Sequence, residues 1–223
     1  MRRMGVGRHA SAPRIVALLV LLAVAAALRF WRLDFQSLWI DELFSVVFSR
    51  SELGLDEIAA AYARDVHPPA YPFALHGWLT VFGDTDLAAR ALSACFGVLG
   101  VAAMLAVGRW CFDARAGWIA ASLTAVNAFH IAYSQEARAY SLLFLAAAAS
   151  YGGFLAVALR PTWRRTALYA AATAAAIHAH YYGFVMVSGQ LAAALLFLGL
   201  RRQNRGAVGR LLGVGRSARY HVP

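Results

Sequence analysis

The sequence predicts an all-α integral membrane protein with about six transmembrane helices and short interfacial helices in its first outer loop. Three observations predict this class. The chain is 61% hydrophobic and 14% charged, against roughly half apolar and a quarter charged in soluble domains. Long apolar stretches recur along most of its 223 residues, so the excess is not one tail or one anchor. The basic residues are all arginine and collect at the ends of those stretches, where they orient helices across a bilayer. A net charge of +10 and a pI near 10.4 would suggest nucleic acid in a soluble chain, but cations placed at helix ends exclude that reading. Cys95 and Cys111 form neither a disulfide framework nor a metal spacing and read as small core residues. No internal repeat is evident.

The first apolar run is Ile15 to Leu28, preceded by Arg2, Arg3, Arg8 and Arg14 and followed by Arg29-Phe30-Trp31-Arg32. Ala25-Ala26-Ala27 resembles a signal-peptide cleavage site. An uncleaved first span with Phe30 and Trp31 at the interface is the preferred reading. Both readings put the next segment outside.

Residues 34–86 differ in kind, because they hold nine of the chain's eleven acids. Stretches 41–49 and 55–63 mix polar and apolar residues at helical spacing, which predicts short helices on the membrane surface. Ala70 to Phe82 is apolar but only 13 residues long, which is short for a span. Five further apolar segments follow, at about 87–108, 117–134, 140–159, 166–182 and 184–200.

Charge decides the topology. With 70–82 interfacial, fifteen of the 21 arginines fall on the inner side and ten of the eleven acids outside. A spanning 70–82 would flip every later loop and put Arg160, Arg164 and Arg165 outside, against the positive-inside rule. The expected organisation is a basic cytoplasmic N-terminus at 1–14, a membrane domain at 15–200 whose outer loop is 34–86, and a poorly ordered basic cytoplasmic tail at 201–223. Both termini then face the cytoplasm.

With this topology the unusual polar residues gather at the outer boundary: Asp41-Glu42, His67-Pro68-Pro69, Arg90, Gln135-Glu136-Ala137-Arg138, His178 and His180. No inner loop has a comparable mix of acids, imidazoles and arginines, so the outer face is the expected active face. Asp41 and Glu42 point about 100° apart on a helix. One carboxylate can face a cavity while its neighbour caps the helix or binds a partner; ordinary N-terminal helix charge explains the pair equally. His67-Pro68-Pro69 is a rigid lead into the 70–82 helix, and His67 is either functional or a plain surface residue. Arg90 sits one turn into the second span and Arg138 just after the third, and an arginine at membrane depth must be paired or solvated. A lipid phosphate would pair with either; so would Glu136, Asp84 or Asp86, or the side chains snorkel. His178 and His180 are two apart, which is poor metal spacing.

The ordered set Trp39-Ile40-Asp41-Glu42, His67-Pro68-Pro69, Phe82-Gly83-Asp84, Arg90-Ala91-Leu92-Ser93, Tyr133-Ser134-Gln135-Glu136-Ala137-Arg138 and His180-Tyr181 resembles the protein mannosyltransferase-like group of membrane glycosyltransferases. These share the GT-C fold. They include dolichyl-phosphate-mannose-dependent protein mannosyltransferases and the aminoarabinose transferases that modify lipid A. The resemblance covers roughly residues 28 to 200 and corresponds to the N-terminal half of such proteins, so the chain is expected to be a truncated GT-C-like domain.

The resemblance implies a polyprenyl-phosphate sugar donor and a protein, lipid or glycan acceptor, reached from the outer face of the cytoplasmic membrane. It implies Asp41 as the base, with Glu42 beside it as the second catalytic acid. His67, Arg90, Gln135, Glu136, Arg138, His180 and Tyr181 are the implied substrate-binding residues. Arg90 and Arg138 are its candidates for the donor phosphate. A single displacement would invert the anomeric centre. No cofactor is called for, although a divalent metal is left open, and no nucleotide fingerprint is present. Two other readings stand beside this one: a catalytically inactive truncated relative, and a non-enzymatic lipid-handling or transport subunit. The last would need polar residues in broken mid-membrane helices, for which Asn127 is the notable candidate.

Overall fold

The computed structural model describes residues 12–65 and 67–211, with side chains as far as residue 199. The basic segment before residue 12 and the tail beyond 211 lie outside the described residues. Ten helices follow in order among the described residues: α1 Ala12–Phe30, α2 Ile40–Val47, α3 Leu55–Tyr62, α4 Ala70–Phe82, α5 Asp86–Cys111, α6 Ala114–Val126, α7 Ala128–Ser134, α8 Tyr140–Leu159, α9 Trp163–Ala179 and α10 Tyr182–Leu211. The fold is an all-α membrane fold. Among the described residues four helices, α1, α5, α8 and Tyr182–Gly199 of α10, are long and apolar enough to cross a membrane, where the sequence predicts about six; α9, in place of the expected span 166–182, has 17 residues.

The chain divides into two units after Gly183. In the first, α5 packs against α1, α4, α6, α7 and α8, and α8 pairs with α9. The α5–α6 hairpin is tight because two glycines meet: a Cβ on Gly108 would lie 2.7 Å from the Gly117 Cα. One buried cluster joins Ala25, Val101, Leu105, Ala121 and Ala125. A second joins Val46, Tyr71, Leu75, Leu79, Leu92 and Ala137, and it anchors α2 and α4 on α5. Ile15, Val16, Leu19 and Val20 on α1 are more than half exposed, as expected of a surface that meets hydrocarbon rather than water.

Two further elements differ from the sequence expectation. The segment 117–134, expected as one span, is broken at Asn127 into α6 and α7. The Asn127 Oδ1 accepts from the His130 N–H at 2.9 Å and starts α7. A break within a helix frees carbonyls that need other donors. Arg29, fully buried, supplies the donors: Nη1 donates to the Ala125 carbonyl at 3.1 Å and Nη2 to that of Thr124 at 3.1 Å. Its Nη2 also donates to His130 Nδ1 at 2.8 Å. In the second unit, α10 continues to Leu211. Residues 201–211, expected within a poorly ordered tail, are therefore helical; arginines near a helix C-terminus favour such an extension.

Candidate active site

Short helix α2 builds the site. Asp41 and Glu42 occupy its first turn, where negative charge is favoured. The 100° step between neighbours sends them different ways. Glu42 turns inward and is 1% exposed. Its Oε1 accepts from Arg90 Nε at 2.8 Å and its Oε2 from Arg90 Nη2 at 2.6 Å, a two-pronged ion pair. Oε1 also accepts from the Ala137 N–H at 2.8 Å, and Oε2 from the Trp39 N–H at 3.4 Å.

Arg90 is equally committed. Nη1 donates to the carbonyls of Leu33 at 3.0 Å and Gln36 at 2.6 Å, and Nη2 to that of Ser37 at 3.2 Å. Its partner is thus Glu42, not Glu136, Asp84 or Asp86. Asp84 instead accepts from the Ser51 N–H and hydroxyl. One buried pair therefore ties α2, the 33–37 loop, α5 and the 135–139 loop together. Neither Glu42, expected to be catalytic, nor Arg90, expected to meet a phosphate, keeps a free polar atom for a ligand in this arrangement.

Asp41 turns outward, and its side chain is 45% exposed. It borders an open cleft of about 420 Å³ together with Asp65, His67 and Arg138, with Leu43 and Val47 as apolar wall. Arg138 is held from behind. Nη1 donates to the Asp41 carbonyl at 3.1 Å and reaches the Ser45 hydroxyl at 3.4 Å. Nη2 lies 3.8 Å from Asp41 Oδ2 and 3.4 Å from His67 Nε2. An arginine can only donate, so His67 Nε2 faces it with a lone pair. The ring proton is then on Nδ1, which donates to Asp65 Oδ2 at 2.9 Å. Asp65 is the residue the sequence reading missed. Its Asp-x-His spacing was the available signal, but that pattern is too common to stand out.

His180 lies beside His67, with 6.2 Å between ring centroids. It is 4% exposed, and a narrow gap lined by Ser45, His67, Arg138 and Tyr140 leads to it. Burial holds its pKa below the ordinary 6.5, with His67 and Arg138 pushing the same way. Its ring is therefore neutral, and Nδ1 accepts from the Tyr182 N–H at 3.2 Å. Tyr181 stacks on His180 at 4.2 Å between centroids while remaining 46% exposed.

Gln135 and Glu136 face elsewhere. Gln135 Nε2 donates to the carbonyls of Leu28 at 3.2 Å and Trp31 at 3.0 Å, tying the loop to the end of α1. Both residues line a separate cavity of about 510 Å³ with Trp31, Phe35 and Trp39. Glu136 Oε2 is buried without a hydrogen-bond partner. Burial raises its pKa above the usual carboxylate value, and the charge of Glu42 adds to this. Since the folded-state pKa is raised, the penalty is absent below the unfolded value and appears as pH rises through the folded one. Glu136→Gln is therefore expected to raise the melting temperature in detergent at pH 8 and leave it unchanged at pH 4. An equal shift at both pH values would disprove this account. Among the described residues, no group of three or more His, Cys, Asp or Glu is placed to hold a metal ion.

The site thus brings Asp41, His67 and Arg138 to one cleft, sets His180 in the adjoining gap, and leaves Gln135 and Glu136 on a separate cavity that Glu42 and Arg90 also line. A family model described as dolichyl-phosphate-mannose-protein mannosyltransferase matches residues 66–214, well over half of the chain. The chain belongs to this mannosyltransferase family. The match begins beside His67 and includes Arg90, Arg138 and His180, while Asp41 and Glu42 precede it. Among curated proteins and among solved structures, none matches the chain. In this mannosyltransferase-family chain the family assignment and the helix composition agree: a membrane protein of glycosyltransferase type.

Proposed function

We propose that the chain transfers a hexosyl or pentosyl unit from a polyprenyl-phosphate donor to an acceptor hydroxyl at the outer face of the cytoplasmic membrane. Both termini are cytoplasmic and the Asp41 cleft opens outward. The observation that carries the reading is the contrast within one turn of α2: Glu42 is saturated by Arg90, while Asp41 is half-exposed in an open cleft beside Arg138 and His67.

An acceptor hydroxyl is a poor nucleophile at neutral pH. Asp41 takes its proton as the oxygen attacks the anomeric carbon. The bond from that carbon to the phosphate oxygen breaks on the opposite side, which inverts the centre, and polyprenyl phosphate leaves with the electron pair. Arg138, held in place by the Asp41 carbonyl and Ser45, meets the developing phosphate charge. His67 orients Arg138 through its Nε2, and neutral His180 adds no competing charge. Arg90 and Glu42 act through position, by holding α2 and the 135–139 loop in register.

A lipid-handling or transport subunit is the second reading, and the break at Asn127 favours it, since broken helices build transport sites. Against it, Arg29 already occupies the freed carbonyls. The test is reconstitution of the purified chain in liposomes with polyprenyl-phosphate sugars labelled in the sugar. Release of label to water or acceptor, with product of inverted anomeric configuration, is the expected result. Label that crosses the bilayer while still attached to its lipid would reject transfer in favour of lipid handling.

A further inference from the structure

The far end of α5 lies about 30 Å from Arg90, at 1.5 Å per residue, and it carries chemistry that sugar transfer does not use. There α5, α8 and α9 enclose an open groove of about 520 Å³. Its floor is made of Ala106, Gly152, Gly153 and Ala172, and Trp110 and Leu168 rise beside it. Such small residues admit extended hydrocarbon and offer it no hydrogen bond. Arg165 sits at the rim. Its Nη1 donates to the Arg160 carbonyl at 3.1 Å and reaches that of Ala156 at 3.4 Å, which closes the end of α8 and fixes the guanidinium there.

The charge at that rim has one sign. Arg160, Arg164 and Arg165 end α8 or begin α9, and none has an ion-pair partner among the described residues, Arg164 lying over the Trp163 ring at 5.5 Å. Asp113, the acid on this side, spends Oδ1 on the Ala116 N–H at 2.7 Å as the cap of α6. The N-terminus of α9, capped by the Thr162 hydroxyl, points its positive end to the same rim.

We propose that this groove is a binding site for an anionic phospholipid of the arginine-rich leaflet. One acyl chain lies on the alanine and glycine floor, and the headgroup phosphate is held by Arg160, Arg164 and Arg165. Charge complementarity selects this occupant: a neutral lipid or an apolar helix would fill the groove and leave the cations unmatched. The proposal is independent of the sugar-transfer reading, because it invokes no residue of the Asp41 cleft.

The experiment is native mass spectrometry of the full chain in detergent, titrated with dioleoyl-phosphatidylglycerol or dioleoyl-phosphatidylcholine. Retention of phosphatidylglycerol at least about fivefold above phosphatidylcholine is expected, since each arginine near an anionic headgroup contributes about that factor. The triple variant Arg160→Gln, Arg164→Gln, Arg165→Gln should bring the two lipids level. The pair Ala149→Leu and Ala171→Leu, both on exposed positions lining the groove, should lower retention of both lipids while keeping all arginines. Equal retention by the wild-type chain would overturn the proposal. So would undiminished phosphatidylglycerol on the leucine-filled chain, which would assign the preference to diffuse surface charge.

Discussion

Asp41→Asn is expected to lower sugar transfer by about 10²- to 10⁴-fold, the range for loss of a positioned general base, while the folded structure is kept. The side chain is half-exposed, and among the described residues its one ion pair is a long one, 3.8 Å to Arg138. A surface pair of that kind contributes less than about 1 kcal/mol, so melting in detergent should barely move. Asn has the same shape and cannot take a proton, which separates chemistry from packing. Asp41→Glu keeps a base but moves it outward by one methylene, and a partial loss is expected. The assay is release of labelled sugar from reconstituted liposomes. Wild-type and Asp41→Asn chains turning over donor at the same rate would remove Asp41 from the mechanism. They would leave His67, whose Nε2 lone pair borders the same cleft, as the next base to examine.

The second large effect is on stability. Arg90→Leu should destabilise the chain by about 3–5 kcal/mol, the cost of leaving one half of a buried pair unmatched. Glu42 is 1% exposed and would keep a charge with no cation beside it, while the carbonyls of Leu33, Gln36 and Ser37 would lose their donor. Removing both charges, with Glu42→Gln and Arg90→Leu, should recover part of the loss, because a buried pair costs nearly as much to desolvate as it returns. Guanidinium- or heat-induced unfolding in detergent measures both variants. A single variant as stable as wild type would show that the pair does not hold α2. Activity should fall with the loss of α2 placement, so comparison at a temperature where the variant is folded separates a positioning role from simple unfolding.

Much of the fold was legible in the sequence. Helix α4 spans 70–82 and α8 spans 140–159, as apolar length and charged flanks predict. The two short helices α2 and α3 fall close to the stretches that carry mixed polarity at helical spacing. The break at Asn127 was not legible. A largely apolar segment of 18 residues looks continuous, and the residue that makes a break tolerable, Arg29, is almost a hundred positions away. The reach of α10 to Leu211 was also missed, because a basic stretch without apolar periodicity resembles a tail.

The candidate site was legible as a set of residue types and opaque as an arrangement. Asp41, Glu42, His67, Arg90, Gln135, Glu136, Arg138, His180 and Tyr181 all stand out by being polar beside apolar segments. Which carboxylate faces the cleft is invisible in the adjacent pair Asp41-Glu42. So is the sorting of Arg90 into a buried pair and Arg138 into the cleft, because both are arginines near the N-terminus of a long helix. By itself, the sequence determined the membrane class, most of the helices and the family, all of which rest on local composition and ordered motifs. Only the tertiary structure decided which polar groups are consumed by one another and which remain open. Hydrogen-bond satisfaction in a low-dielectric interior is settled by partners distant in the chain, such as Glu42 with Arg90 and Ala137, and no local pattern encodes it.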